Sequence, residues 1–297
     1  MRLENDIGDL QNDYNHGTEL RWWQAEDDAG PIERGFANLG VIELLGLPET
    51  ADTLASVRLR LGQLMFVPVD ISRKNPDPRD RPYAGWLHAG IASEKLALDP
   101  DDTRRRDTRS MVELDLGVVG PSSLGEEVQT NWHEFWNLSE PLGWNSQLKD
   151  EPALLFTVQR DRRLGYGQVG EAHAWDAAGH IDWSLGNLRT EAVIGGALRF
   201  GKDLARDFAL RSAPSGAGGG SLYIFGDLHA VAQDLFLDGN TWKDGPRVDK
   251  RPLVGELGIG LEFNLHSAHI RLAHLWRSKE FNGQDGTRAV WSLEVGL

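Results

Sequence analysis

The segment LVGELGIGLEFNL at residues 253–265 decides the fold. Every odd position in it except Gly255 carries a large apolar side chain, and the even positions from Glu256 to Asn264 carry only glycine or polar side chains. Successive side chains of a β-strand point to opposite faces, so this alternation predicts a strand with one apolar and one polar face. Its length well exceeds the roughly five or six residues that are typical of strands in globular proteins.

The same alternation recurs along the whole chain. Strands of about ten residues span a bilayer at a tilt, and an even number of them can close into a barrel whose lumen accepts paired charges. The sequence therefore predicts an all-β fold, a transmembrane antiparallel β-barrel of about twelve strands that forms a single domain over residues 1–297. A large soluble β-sandwich with a charged outer face is the alternative. The other predicted strands are 1–6, 17–24, 54–68, 83–94, 110–119, 153–167, 171–185, 190–200, 221–237, 268–278 and 288–297.

The composition narrows the class of protein. A net charge of −14 argues against a nucleic-acid partner, and the absence of cysteine excludes disulfides and thiolate metal sites. No window approaches the roughly 18 consecutive apolar residues of a transmembrane helix. Met1 is followed by Arg2 with no apolar signal segment, so we expect either a cytoplasmic chain or a mature secreted one.

The gaps between strands predict which parts face outward. The longer gaps are expected on one side of the barrel, the extracellular side, as in outer-membrane barrels. These gaps are residues 25–53, 68–82, 120–152, 201–220 and 238–252. Tryptophans near strand ends or middles are expected to form part of an interface girdle. They are Trp22, Trp23, Trp86, Trp276 and Trp291.

Residues 120–150 are the one stretch where the period becomes helical. Ser123 and Glu126 have the spacing of a capping box. Gln129 and His133 lie on one polar stripe of the predicted helix, where the imidazole could act as a base; a solvated surface histidine is the alternative. A second, apolar stripe is expected to be the packing face. It comprises Val128, Trp132, Phe135 and Trp136.

Two further groups of residues have the chemistry of binding sites. The amide and carboxylates of Asn5, Asp6 and Asp9 are hard oxygen donors that suit calcium, or equally a solvated turn. Arg73 and Lys74 follow a predicted strand, where they suit a phosphate or an oxyanion, or else form an ordinary basic loop.

Read together, these segments resemble a known family, the LpxR-like outer-membrane lipid A 3′-O-deacylases. The resemblance runs from Glu4 to Gln284 and is carried by long motifs in a fixed order. They are END (4–6), DYNHG (13–17), GQLMFVPVDI (62–71), DRPYAGW (80–86), LGVVGPSSLGEEVQTNWH (116–133), GWNSQLKDEP (143–152), LDGNTWKD (237–244), VDKRPLVGEL (248–257) and WRSKEFNGQ (276–284).

The resemblance implies a twelve-stranded barrel in the bacterial outer membrane, with a site between the barrel wall and an external helix. It implies calcium-dependent hydrolysis of the 3′-linked acyloxyacyl ester of lipid A. Matched residue by residue, it places the catalytic histidine at His133 and its helix glutamine at Gln129. The substrate-binding basic pair falls at Arg73 and Lys74. We expect lipid A, or lipopolysaccharide, as the partner and a monomer as the state.

The calcium ligands that the resemblance implies are Asn5, Asp6, Asn15 and Glu140, and two of them depart from the family pattern. Asn15 stands where the family has threonine or serine, and Ser139, with Glu140 beside it, aligns to a family glutamate. No cysteine and no Gly-x-Ser-x-Gly elbow is present, so a water activated by His133 fits ester hydrolysis better than a covalent serine. A non-catalytic barrel and a broader phospholipid esterase are the alternatives.

Overall fold

A computed structural model describes residues 2–5, 16–39, 53–99, 106–202, 204, 219–265 and 268–296. Within these ranges twelve antiparallel strands form a closed barrel, in which each strand pairs with its neighbours in the chain and β1 pairs with β12. The predicted fold class is confirmed. The strands are β1 (Arg2–Asn5), β2 (His16–Ala25), β3 (Thr53–Phe66), β4 (Ala84–Ala97), β5 (Thr108–Val119), β6 (Glu151–Val169), β7 (His173–Gly186), β8 (Arg189–Lys202), β9 (Gly219–Asp234), β10 (Leu253–Leu265), β11 (Ala268–Arg277) and β12 (Arg288–Gly296).

The alternation within each strand sorts side chains between the outside of the barrel and its lumen. In β10, Leu257 is 66% exposed on the outside, whereas Glu256 and Glu262 are buried in the lumen. The even positions of β9, from Leu222 to Ala232, also point outward. The outer surface is therefore apolar and the interior is charged, which is the inverse of a soluble protein and the arrangement that a lipid environment requires.

The charges inside the lumen are paired. Arg109 lies between Glu94 and Asp161, at 2.8 Å and 2.7 Å. Arg163 lies 2.6 Å from Asp107 and continues a chain of ion pairs towards β7 and β8. A buried charge is strongly unfavourable unless a partner and hydrogen bonds compensate it, so these arginines hold carboxylates from several strands in one polar interior.

Apolar side chains close the lumen at one end. Phe66 stacks on Phe236 with ring centroids 4.1 Å apart, and Trp86 stacks on His88 at 3.8 Å. Below this layer a cavity of about 450 Å³ is lined by charged side chains, among them Arg60, Glu113 and Glu191. The buried members of the layer are Ala84, Trp86, Val119, Leu148, Ala153, Leu188, Leu235 and Phe236.

Three helices accompany the barrel in the described ranges: α1 (Pro31–Ala37), α2 (Gly125–Phe135) and α3 (Leu235–Asp238). No helix in those ranges is both long and apolar enough to cross a membrane. Because odd-numbered strands all run towards the same end of the barrel, α2 and α3 lie together at that end, which we call the site end. α1 lies at the opposite end.

The prediction that the five long gaps share one side is wrong for two of them. The gaps 68–82, 120–152 and 238–252 follow odd-numbered strands and lie at the site end, but 25–53 and 201–220 follow β2 and β8 and lie at the opposite end. In the first of these, α1 turns back onto the outer wall, where Ala37 packs with Val57 and Ile91. The described part of that connection thus covers a patch of the outer wall.

Three of the predicted girdle tryptophans lie on the outer face, where a girdle requires them, and the prediction is wrong for the other two. Trp22, Trp276 and Trp291 are 54%, 44% and 37% exposed on the outside. Trp23 points inward, towards the guanidinium groups of Arg21 and Arg58, and Trp86 belongs to the layer that closes the lumen. Alternate residues of a strand point to opposite faces of the wall, and these two residues fall at the positions that point into the lumen.

At the site end, Glu280 forms ion pairs that connect its own loop to the loop of Arg81 and to the start of β12. Its carboxylate lies 2.8 Å from Arg81 and 3.1 Å from Arg288. Burial would raise the pKa of Glu280, but Arg81, Arg288 and Arg277 outweigh it and hold that pKa well below its usual range. The carboxylate thus stays charged, and its contribution to stability is lost only as pH falls through that lowered pKa.

An arginine placed on the outward face near the middle of β10 tests the membrane-spanning role of the barrel. Ile259→Arg is expected to reduce the free energy of unfolding in a bilayer by about 2–4 kcal/mol, because a charge at the midplane loses its hydration. The matched control is Leu253→Arg at the strand end, which should cost about 0–1 kcal/mol. Equal effects in a reversible unfolding titration in vesicles would contradict a lipid-facing surface centred on Ile259.

Candidate functional site

Helix α2 lies against the outside of the barrel wall. Gly85 points away from the lumen, because its neighbour Trp86 points into it. A Cβ atom at Gly85 would come within 3.3 Å of the Gly125 Cα atom, so two glycines bring helix and wall into close contact. The Gln63 side chain, also on the outer face, donates a hydrogen bond of 2.7 Å to the Ser123 carbonyl oxygen.

The predicted capping box is wrong. The N-cap residue of α2 is Leu124, in the left-handed conformation with φ 60°, and its side chain makes no capping hydrogen bond. The Ser123 hydroxyl instead donates to the Gly120 carbonyl oxygen at 2.6 Å. Ser123 is committed to the preceding 3₁₀ turn and is buried against Gly85, so it is not available to the helix.

The polar stripe of α2 is buried, as a site between helix and wall requires, whereas the apolar stripe is not the packing face that was expected. Gln129 and His133 are 0% and 5% exposed, on the face that also carries Gly125 and meets the wall. The stripe from Val128 to Trp136 is exposed, with Phe135 at 76%. The alternative of a solvated surface histidine is therefore excluded. The polar face is buried because it is the face that carries Gly125, which packs against Gly85 of the wall.

The imidazole of His133 is fixed by the chain that follows the helix. Its Nδ1 atom lies 2.5 Å from the Ser139 carbonyl oxygen. A carbonyl oxygen can only accept, so Nδ1 carries the proton and the lone pair of the neutral ring is on Nε2. The chain returns to this position because Asn137 adopts φ 53° and Leu138 N–H donates to the His133 carbonyl oxygen at 2.8 Å, which is a Schellman turn.

Gln129 is oriented by a residue from the same loop. Its Oε1 atom accepts a hydrogen bond of 2.8 Å from the buried Trp144 indole N–H. Trp144 packs beside Tyr83, with ring centroids 5.0 Å apart. The Nε2 atom of Gln129 is buried and has no hydrogen-bond partner in the part of the chain that the structure describes. The buried N–H donor of the Gln129 amide is therefore held in a fixed direction, on the same face of the helix as His133.

The predicted basic pair lies on a loop that packs against the helix loop. Leu142 N–H donates to the Ile71 carbonyl oxygen at 2.8 Å, which joins the two loops. Arg73 and Lys74 are exposed, and the Arg73 guanidinium lies 2.9 Å from Asp70. Hydrogen bonds from Ser72 together with the Arg73 charge lower the pKa of Asp70. The structure places the pair on the same block of loops as α2, with its charges facing outward.

The predicted calcium ligands are placed only in part. β1 ends at Asn5, and its backbone is in register with His16, Met65 and Gly85, about 14 Å from the wall position that contacts α2. The side chain of Asn5, and all of Asp6 and Asn15, lie outside the described residues. Glu140 is exposed beside Ser139. In the described ranges no three His, Asp or Glu side chains converge to hold a metal, so this ligand set stays a prediction.

Several residues of the site were missed by the sequence analysis. Trp144, Asn137 and the Ser139 carbonyl orient Gln129 and His133, and none of these is a candidate by residue type alone. An asparagine directly after a helical period is a signal for the left-handed C′ position, so Asn137 had a recognisable signature. The carbonyl of Ser139 had none, because a backbone atom leaves no trace in the residue pattern.

Comparisons with known proteins agree with this architecture. A family model described as "Outer membrane protein LpxR" matches residues 1–297. The structure of LpxR from Salmonella typhimurium aligns with a TM-score of 0.75 at 15% identity, over 99% of this chain and 97% of that one. This likeness shows the barrel fold. The autotransporter domain NalP from Neisseria meningitidis, at 7% identity, covers 99% of this chain and 85% of its own with a TM-score of only 0.44. A search of curated proteins found no match.

A branched side chain at Gly85 tests the contact between helix and wall. Gly85→Val is expected to displace α2, because the Cβ atom alone would come within 3.3 Å of Gly125 and closer still to Ser123. Limited proteolysis should then cut residues 120–150, while heat-modified gel migration shows the barrel to be folded. The control is Gly255→Val on β10, where a Cβ atom meets nothing within 4 Å. Equal protease resistance of both variants would contradict the docked helix.

Proposed function

Because the chain belongs to the LpxR outer membrane protein family, we propose that it is a lipid A 3′-O-deacylase of the bacterial outer membrane. It hydrolyses the 3′-linked acyloxyacyl ester with calcium as cofactor. The observation that carries the proposal is the position of His133, which is buried on α2, the helix that lies against β3 and β4. A lipid reaches this position from the membrane, whereas apolar side chains close the lumen at this end.

His133 performs the proton transfers in the proposed reaction. Its Nε2 atom takes a proton from a water molecule as the water oxygen attacks the ester carbonyl carbon. The resulting imidazolium then gives that proton to the sugar oxygen as the bond between carbonyl carbon and sugar oxygen breaks. The products are a free fatty acid and a 3′-hydroxyl. The Ser139 carbonyl oxygen, bonded to Nδ1, holds the ring in the required tautomer and stabilises its positive charge.

Gln129 and the basic pair supply binding groups. The amide N–H of Gln129, whose direction is set by Trp144, is available to a substrate oxygen at the ester. Arg73 and Lys74 bind a phosphate of lipid A, for which exposed cations on a loop are suited. Calcium, when bound, polarises the ester carbonyl. Its proposed ligands Asn5, Asp6, Asn15 and Glu140 are oxygen donors, which is the ligand type that calcium takes.

Removing the imidazole tests the proposed base. His133→Ala is expected to lower turnover by roughly 10²–10⁴, the usual contribution of general acid–base catalysis. The measurement is mass spectrometry of lipid A from cells that express each variant, with folding checked by heat-modified migration. His173→Ala is the control, since His173 stacks on Phe200 at the opposite end of the barrel.

The outcomes separate the candidate functions. Full deacylation by His133→Ala would remove the base from the mechanism. Unchanged lipid A with the native protein would favour a non-catalytic barrel, and release of fatty acid from phospholipids would favour a broader esterase.

Chelation tests the cofactor. Excess chelator and Asp6→Ala are each expected to abolish ester hydrolysis, and zinc should restore little, because zinc prefers nitrogen and sulfur ligands. Asp77→Ala is the control, since the Asp77 carboxylate pairs with Arg79 at 2.8 Å in a neighbouring loop. Undiminished activity in excess chelator would exclude calcium from the reaction.

A further inference from the structure

Helix α2 carries an apolar stripe that no other part of the described chain covers. Val128 is 40% exposed, Trp132 45%, Phe135 76% and Trp136 56%. The aromatic rings contact one another, with Phe135 and Trp136 edge to face at 5.0 Å. Apolar patches of this kind on a protein surface mark sites of interaction with a protein or a membrane.

Helix geometry fixes the angle between the apolar stripe of α2 and the buried face that carries Gln129 and His133. At 3.6 residues per turn, the centre of the stripe lies about a quarter of a turn from Gln129 and His133. The exposed Glu127, Asn131 and Glu134 lie on the far side of the helix. The helix therefore has three faces: one on the barrel wall, one apolar and one acidic. With the first face against the wall, the apolar face points sideways along the wall, and the acidic face, about a third of a turn further on, points away from the wall.

The outer wall next to the helix is apolar and exposed. One row of outward residues runs in register across five strands. The row crosses β4 at Ala89, four residues from Gly85, and so lies about 13 Å along the strand from the helix contact. The helix is thus at the edge of the apolar band of the barrel. The row consists of Leu20, Leu61, Ala89, Leu116 and Leu154.

We propose that the stripe of α2 is a membrane-docking surface, which inserts into the boundary between headgroups and hydrocarbon of the surrounding leaflet. The occupant is lipid, because the helix borders the lipid-facing band and its stripe is rich in tryptophan, whose rings favour this boundary. The acidic face then points to water. The insertion sets the depth at which Gln129 and His133 meet an ester in the leaflet. The docking itself does not depend on the proposed hydrolysis.

The absence of cysteine makes a direct depth measurement possible. Single cysteines are introduced by Phe135→Cys on the stripe, Glu127→Cys on the acidic face and Leu257→Cys on the barrel wall, and each is labelled with a nitroxide. The proteins are reconstituted into phosphatidylcholine and phosphatidylglycerol vesicles. Collision with oxygen, which partitions into lipid, and with a water-soluble nickel chelate is measured by electron paramagnetic resonance.

The proposal predicts an oxygen-to-nickel collision ratio at position 135 that is several-fold above that at 127 and below that at 257. Val128→Cys, one turn away on the stripe, should behave as 135 does and guards against a local defect of one variant. A ratio at both stripe positions equal to that at 127 would overturn the proposal in favour of a solvent-exposed stripe. Protection from both reagents would overturn it in favour of a protein contact. The same depth is expected in a His133→Ala background, so failure of the docking and failure of the catalytic proposal are distinguishable.

Discussion

The pairing of charges inside the barrel is the constraint on which the rest of the structure depends. Lipid outside the wall disfavours charge, so most charged side chains of the described strands point inward and neutralise one another there. Arg109 between Glu94 and Asp161 is one example of this arrangement. Ion pairs fill the interior, and Phe66 and its neighbours close it at one end. The outer wall and the site-end loops are therefore the surfaces on which a lipid can bind and react.

The helix–wall contact turns that remaining surface into a site. Two glycines, Gly85 and Gly125, let α2 lie close enough to the wall to bury the polar face of the helix. The residues after the helix complete the arrangement, since the Schellman turn at Asn137 returns the Ser139 carbonyl to His133. A single backbone acceptor thus determines which nitrogen of the imidazole carries the lone pair.

The sequence predicted the barrel because the two-residue period is local and repeats twelve times, as in β10. The helical period likewise predicted α2 and the stripe that carries Gln129 and His133, while the roles of these two residues come from the resemblance and stay a prediction. The apolar stripe of α2 was wrongly expected to be the packing face, because an apolar stripe packs inward in a protein surrounded by water. The side of each long gap was wrong for 25–53 and 201–220, because gap length does not record strand parity.

The capping box failed because Ser123 has a competing partner, the Gly120 carbonyl oxygen, that spacing along the chain does not reveal. The role of Trp144 depends on a contact with Gln129 across a loop, and no periodicity encodes such a contact. Residue type and period thus determine strands and faces, while the orientation of the site comes from turns and backbone atoms that only the folded chain brings together.

The central claim is that the site lies between α2 and the outward face of β4, and a cross-link measures this most directly. The chain has no cysteine, so Gly85→Cys combined with Ser123→Cys gives a protein with two thiols. A Cβ atom at Gly85 would be 3.1 Å from the Ser123 Cβ atom, which a small shift brings into the range of a disulfide, about 3.5–4.5 Å. We predict that mild oxidation in membranes closes this disulfide in the folded barrel, while the pair Gly255→Cys and Ser123→Cys stays reduced. If both thiols of the first pair remained titratable after oxidation, the helix would not lie on the wall and the account would be contradicted.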